Sequence, residues 1–383
     1  MIYLDNAATT YPKPVSVRNA VAYALEKYGA NPGRAGHRMA MASSEEIYRC
    51  RSEAAEFFHA PGPECVAFTL NCTHALNYVL KGVLSSGDHV VTSCLEHNAV
   101  MRPLCALAER GVSYTAVRVV PGDDDATVCA FRQAVNERTK LIVCMHASNV
   151  WGIRLPVGRI TALGRELGVP TAVDCAQSAG VLPVSMQNGP DYLCIAGHKG
   201  LYGPMGTGML IAADGSALNT VIEGGTGTNS ARMEQPAEMP ERMESGTQNM
   251  PGIAGLRAGM KFVRQRGVEQ IFRHEMTLIR YLYDRLSDLP GVRLYTEKPD
   301  FLHFAPVLSF NAGDLPSEVV GRELGERGFA VRAGLHCAPA AHSFLGTLEQ
   351  GAVRVCPSVF SNIHEIDSFL LALLKIIHIH GIK

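Results

Sequence analysis

The sequence predicts an α/β fold, with a large domain built on a mainly parallel sheet and a smaller α/β C-terminal domain. Two patterns carry that expectation. Through the first two-thirds of the chain, short apolar or β-branched runs alternate with helix-like segments, as in successive βαβ units. From about Gly252 the alternation gives way to a long amphipathic helix, several short strands and an apolar closing helix. The large domain is expected over 15–251, and the small domain over 1–14 together with 252–383.

Strands are expected at Val66–Leu70, His89–Ser93, Tyr114–Val119, Leu141–Met145, Thr171–Asp174, Tyr192–Ala196 and Gly208–Ile211. Helix-like segments lie between several of them, at Ala75–Leu84, Val100–Arg110, Cys129–Val135 and Val157–Leu167. A long helix is expected over Val268–Leu289, where Ile271, Phe272, Met276, Ile279, Leu282, Leu286 and Leu289 recur close to a 3.6-residue period. Strands at Val292–Tyr295, Val307–Phe310, Ala330–Arg332 and Ala352–Cys356 follow. The closing helix carries Ile366, Phe369, Leu370, Leu373, Leu374 and Ile377 on one stripe.

Composition narrows the partners. With 383 residues, 47% of them hydrophobic, the chain can bury a large core and a smaller one. A net charge of -1 offers no field to attract nucleic acid or an anionic membrane. The 11 cysteines are scattered without CxxC or zinc-like spacing, as expected of reduced thiols in the cytoplasm rather than a disulfide framework. The segment Met1–Asn6 has neither a basic n-region nor an apolar h-region. The apolar run Phe369–Ile379 is too short to span a bilayer and is interrupted by Lys375.

The residues that can do chemistry gather at predicted strand ends. Asp174 closes the apolar strand that begins at Thr171, where a carboxylate is costly unless it faces a cation. One strand later comes Gly197-His198-Lys199-Gly200. Together they suit a covalently held pyridoxal 5'-phosphate, the lysine forming the Schiff base and the acid keeping the pyridine nitrogen protonated. Gln177 either reaches the cofactor's phenolic oxygen or starts a helix, and His198 can donate to a phosphate. Thr73 opens a helix expected to begin near Thr73 or His74. It serves either as a phosphate ligand with the backbone N–H groups there or as an ordinary N-cap. His97 either stacks on the cofactor ring or is a satisfied structural histidine. Asn149, at another strand end, aims at the same crevice. Much later, Arg332-Ala-Gly-Leu-His336-Cys337 sets a thiol in a glycine-containing loop beside basic residues that lower a thiol's pKa. The alternative for Cys337 is a small buried hydrophobe.

These motifs together resemble the class V aminotransferase superfamily of fold-type I, and within it the cysteine desulfurases and selenocysteine lyases with a short cysteine loop. The resemblance runs nearly end to end. It is carried by Tyr3-Leu-Asp-Asn-Ala-Ala-Thr-Thr10, Asn31-Pro-Gly-Arg-Ala-Gly-His37, the Thr73 turn, Glu96-His97-Asn98, Ser148-Asn149, Asp174-Cys-Ala-Gln177 and Gly197-His-Lys199. It continues in Gly224-Gly-Thr-Gly227, Glu244-Ser-Gly-Thr-Gln-Asn249, the Cys337 loop and Arg354. It implies that Lys199 carries the cofactor, Asp174 holds the ring nitrogen, Gln177 the ring oxygen, and His97 stacks on the ring. Thr73 and His198 would bind phosphate, with His74 beside them. Thr226 would reach the cofactor of a partner subunit in a homodimer. Arg354 would bind the substrate carboxylate, with Asn149, Arg332 and Asn6 around the substrate and Cys337 as nucleophile. No metal is expected.

The implied reaction turns L-cysteine into L-alanine, with sulfur held as a persulfide on Cys337 for an acceptor protein. Selenocysteine lyase, an aminotransferase or racemase, and a binding protein with a degenerate site are the alternatives. The chain departs from the family in having Ala196 where a phosphate-binding hydroxyl is common, which removes a bond of about 1.5–3 kcal/mol if nothing replaces it. His74 and Leu335 also stand where relatives often carry an acid and a histidine.

Overall fold

The computed structural model describes residues 1–32, 36–187, 189–228 and 230–382. Part of the Asn31–His37 motif, residues 33–35, therefore lies outside the described residues. Strand β1 (Ile2–Tyr3) precedes helices α1 (Val15–Lys27) and α2 (Arg38–Phe58). Then come β2 (Val66–Thr69), α3 (Cys72–Val83), β3 (His89–Ser93), α4 (Asn98–Ala108), β4 (Ser113–Val117) and α5 (Asp124–Ala134). They are followed by β5 (Thr139–Met145), α6 (Val157–Leu167), β6 (Thr171–Asp174), β7 (Tyr192–Ala196) and β8 (Gly208–Ala212). The remainder comprises α7 (Met250–Arg266), α8 (Val268–Ser287), β9 (Val292–Leu294), β10 (Leu308–Ala312), α9 (Ser317–Glu326), β11 (Phe329–Ala330), β12 (Arg332–Gly334), α10 (Pro339–Phe344), β13 (Ala352–Val355) and α11 (Ile363–Ile379).

Seven strands form the main sheet in the order β2-β8-β7-β6-β5-β3-β4. Only β8 runs against its neighbours, so the sheet is mainly parallel, as expected. Parallel strands are stable when helices cover both faces, and the strands alternate accordingly. In β5, Leu141 and Val143 join Leu76, Leu80 and Leu104 on one face. Ile142 and Cys144 join Ile160 and Leu163 on the other. Helix α7 packs against α2 on the large sheet, where Arg257 pairs with Glu46 and Glu53.

A second sheet, β12-β13-β10-β9, is antiparallel. Its core joins Leu278, Ile279 and Leu282 of α8 to Phe310, Val353, Ile366, Phe369 and Leu373. The N-terminal β1 pairs with β11. The strand expected at Ala330–Arg332 is in fact two: β11 joins β1, while β12 joins the antiparallel sheet. A break at Val331 lets the chain change partner.

The turns after β6 and β7 press backbone against backbone. Gly180 has φ +86°, and a Cβ there would lie 2.3 Å from the Gly200 carbonyl oxygen. Gly180→Ala is expected to lower stability by about 1–3 kcal/mol through overpacking and the left-handed backbone. It should also displace the turn that carries Lys199. Urea unfolding checks the first effect; an unchanged midpoint would show that this contact can relax.

Candidate active site

Because β2, β3, β5, β6 and β7 run the same way, their carboxyl ends share one edge of the sheet, where α/β proteins place ligands. Thr73, His97, Asn149, Asp174, Gln177, His198 and Lys199 line one cleft there. Asn6 meets Gln177 and Lys199 at a small adjoining cavity. His74 faces a neighbouring recess with Gln248. Thr226, whose hydroxyl lies 3.0 Å from that of Thr228, opens on a separate cleft with Arg51 and Glu244.

Asp174 is 5% exposed. Its Oδ1 accepts from the Ala176 N–H at 2.8 Å and from the Cys72 thiol at 3.3 Å. Among the described residues it makes no ion pair. A buried carboxylate that faces the cleft near Lys199 yet makes no ion pair fits a cationic ring nitrogen. Among the described residues, His198 Nδ1, Asn149 Oδ1 and Arg354 Nε are buried without a hydrogen-bond partner. Burial pushes the Lys199 amine below its ordinary pKa, with Asp174 acting in the opposite direction. The carbonyl of His198 accepts from the hydroxyls of Thr9 and Thr10 and from Lys13 Nζ at 2.7 Å. That of Lys199 accepts from Thr10 at 3.0 Å.

The start of α3 differs from expectation. The helix begins at Cys72, and Asn71 caps it by accepting from the His74 N–H at 2.9 Å. Thr73 is thus in the first turn rather than at the cap, and its hydroxyl is not used for capping. Gln177 donates to the Ala7 carbonyl at 3.0 Å. Asn6 donates to the Cys356 carbonyl at 3.0 Å and accepts from the Tyr11 N–H.

His97 caps α4, its Nδ1 accepting from the Ala99 N–H at 3.0 Å, which leaves the ring proton on Nε2. Burial pushes its pKa down to about 4, helped by Lys199, Arg332 and Arg354 and opposed by Asp174. Beneath it, Glu96 Oε1 accepts from Ser93 and from the Met145 N–H. Burial raises that carboxyl to about 8, so it is neutral.

Cys337 is exposed. Both it and His336 are left-handed, at φ +56° and +52°. The Asn98 N–H holds the Cys337 carbonyl at 2.7 Å, and Asn149 holds that of His336 at 2.8 Å. Arg332 Nη2 lies 3.9 Å from the Cys337 sulfur. His336 was expected as a second cation beside the thiol, but burial and Arg354 push its pKa down to about 2, so it is neutral. Its ring instead meets His342 at 3.3 Å, and His342 meets the Thr347 hydroxyl at 2.7 Å. No sequence signal singled out His342 or Thr347, because the chain of bonds links residues with no shared motif. Arg354 is 1% exposed; it pairs with Asp5 at 2.7 Å and donates to the Asn149 carbonyl at 2.9 Å. Asp5 was likewise not singled out.

The model of the aminotransferase class-V family matches residues 2–369. The chain belongs to that family. Its relatives include the probable cysteine desulfurase of Methanothermobacter thermautotrophicus, 32% identical over 96% of this chain and 92% of that one. Another is the probable cysteine desulfurase of Mycolicibacterium paratuberculosis, 34% identical over 98% of this chain. The chain spans only 55% of that relative's length. The apo structure of the cysteine desulfurase from Thermococcus onnurineus NA1 matches with a TM-score of 0.90 at 30% identity, covering 98% of this chain and 94% of that one. Within class V, the likeness therefore falls on the cysteine desulfurase group, and the fold is that of fold-type I.

On the reading proposed below, His342→Ala should slow a step that depends on the Cys337 thiol about tenfold or more by loosening its loop, without changing how tightly the cleft would hold a cofactor. His342→Asn should restore part of the rate. Equal losses of rate and cofactor binding would show general damage instead.

Stability should peak near pH 6.5. His97, His146, His198, His336 and His342 are all depressed, to between about 2 and about 4, from an ordinary 6.5. Below 6.5 the unfolded chain takes up protons that the folded chain refuses, so stability falls as pH drops toward 4. Glu96 and Glu275, raised to about 8, act oppositely: their contribution is full below about 4.5 and is lost as pH rises to 8. The five histidines outweigh the two carboxyls on the acid side. Denaturant midpoints across this range check it; a flat profile would contradict it.

Proposed function

We propose that this chain is a pyridoxal-phosphate-dependent cysteine desulfurase that takes sulfur from L-cysteine onto Cys337 and releases L-alanine. The observation that carries the proposal is that Asp174, buried without an ion pair, and Lys199 on the adjacent strand end share a cleft with Asn149, which holds the loop of the exposed Cys337 thiol. When bound, pyridoxal phosphate supplies an electron sink for the pair left on Cα.

Each residue then has a role. Lys199 would hold the cofactor and, once released, take the Cα proton, a task that a depressed amine pKa favours. Asp174 would keep the ring nitrogen charged, Gln177 would hold the ring oxygen and neutral His97 would cover the ring. Thr73, the first N–H groups of α3 and His198 receive the phosphate. Arg354, with Nε still free, and Asn149 receive the substrate carboxylate. Arg332 favours the thiolate form of Cys337. The thiolate attacks the cysteine sulfur, the carbon–sulfur bond breaks, and a sulfur–sulfur bond forms, so L-cysteine and one thiol become L-alanine and one persulfide.

Exposure of Cys337 suits delivery to an acceptor protein. Thr226, on its separate cleft, would serve the cofactor of a second copy in a homodimer. Eleven free thiols suit the reducing cytoplasm. Among the described residues no helix is long and apolar enough to cross a membrane.

Alanine and protein-bound persulfide, followed after adding L-cysteine to the cofactor-loaded protein, test the proposal. Cys337→Ala should lose roughly 100-fold or more of alanine formation while keeping the cofactor's visible band. Cys105→Ala and Cys129→Ala, the other exposed thiols, should not. Arg354→Lys should raise KM about tenfold or more, since it loses a bidentate carboxylate contact. Full turnover in Cys337→Ala would sink the sulfur-transfer reading.

A further inference from the structure

Successive residues of a strand point to opposite faces of a sheet, and the ends of β5 and β6 show both faces. Met145 and Asp174 line the cofactor cleft, whereas His146, Val173 and Cys175 line a second cleft of about 420 Å³ behind it. None of the roles assigned above involves that second cleft. Its walls include Arg154, the first turn of α6 and Asp124 at the start of α5.

One side of it offers donors without acceptors. The His146 ring is 6% exposed and makes no hydrogen bond among the described residues. Burial, then Arg154, pushes its pKa down to about 3, so it is neutral and carries one N–H. Arg154 donates through Nη1 to the Phe301 carbonyl at 3.1 Å, but its Nε is buried with no partner. Helix α6 starts after Pro156 with no side-chain cap. The N–H of Gly158 has no backbone partner among the described residues, at the positive end of the helix dipole.

The neighbouring carboxylates other than Asp124 have hydrogen-bond or ion-pair partners, and the charge of Asp300 also acts on Arg154. Asp125 pairs with Arg159, and Asp300 pairs with His303 at 2.9 Å. Asp123 caps α5. Asp124 makes no hydrogen bond or ion pair among the described residues, and its charge acts on both Arg154 and Arg159. A ligand carrying both charges can meet the unpartnered Arg154 Nε and the unpartnered Asp124 carboxylate at once, which a singly charged ligand cannot. The volume is that of a small-molecule site.

We propose that this second cleft binds a free amino acid as a zwitterion, with its carboxylate on Arg154, His146 and the Gly158 N–H, and its ammonium on Asp124. The site is separate from the substrate site and lies one sheet thickness behind Asp174.

Saturation-transfer NMR on the cofactor-loaded protein tests it with L-proline, whose secondary amine does not condense with an aldehyde cofactor as a primary amine does. N-acetyl-L-proline and pyrrolidine serve as the single-charge probes. Saturation transfer to L-proline is expected, with Kd about tenfold higher in Arg154→Met and in Asp124→Asn, as expected for losing a charge-assisted contact. Both single-charge probes should bind at least about tenfold more weakly than L-proline. Turnover without proline should be unchanged in both variants. Asp124→Asn, in the first turn of α5, carries the test alone if Arg154→Met unfolds. The proposal falls if L-proline shows no transfer or binds both variants as it binds the parent. It also falls if N-acetyl-L-proline binds as well as proline, or if proline binding is lost in Arg354→Lys rather than in these variants.

Discussion

Arg354 is a guanidinium sealed from water, and stripping water from such an ion costs several kcal/mol unless its surroundings replace the lost hydrogen bonds. Here the replacements come from distant parts of the chain: the carboxylate of Asp5 and the carbonyl of Asn149. The pair with Asp5 requires the N-terminal segment to be docked, which β1 achieves against β11 and Asp5 achieves by bridging Cys356. Once docked, the same segment sends Thr9, Thr10 and Lys13 to the carbonyls of His198 and Lys199. The first thirteen residues thereby tie the antiparallel sheet, the loop after β5 and the lysine turn into one unit. The desolvation demand of one cation thus sets where the opposite walls of the cleft stand.

The Cys337 loop shows a second constraint, one of backbone rather than charge. Two consecutive non-glycine residues in the left-handed region cost roughly 1–2 kcal/mol each. Such a conformation persists only where its surroundings over-determine it. Four contacts do so: Asn98 on the Cys337 carbonyl, Asn149 on the His336 carbonyl, His342 on the His336 ring and Thr347 on His342. Asn149 contributes twice, since its own carbonyl receives Arg354. The thiol is therefore exposed without being loosely placed, and through Asn149 its loop is coupled to the buried Arg354.

Much of this was legible in the sequence, and what escaped has physical reasons. Strands β3, β6 and β7 were read to the residue, because each is a buried apolar run ended by a polar turn. Helix α2, with 21 residues, was not read as a helix. Its buried face includes Ser43, Glu46 and Arg51 among small residues, made tolerable by Arg257 and Glu244 from remote segments. No local pattern announces a partner some two hundred positions away. The lysine, the acid and the thiol stood out because strand ends concentrate them. The cap at Asn71 was misplaced by two residues because Thr73 is also a good capping residue. His336 was misjudged because sequence reveals the presence of an imidazole but not its burial.

That last point bears on how the cleft is charged. Three of its nearest histidines, His97, His198 and His336, are held neutral by burial and by surrounding cations. Its positive character therefore rests on Arg332, Arg354 and the fraction of Lys199 that is protonated. Arginine does not titrate in the physiological range, so recognition of anionic groups stays constant as pH varies. The basic group of the cleft whose amine burial brings closer to neutrality is Lys199, which on the proposed reading is also the base. Placing the titrating group on lysine while silencing the histidines separates anion binding from proton transfer. A cleft charged by histidines would have lost its anion affinity over the same pH range in which its base became available.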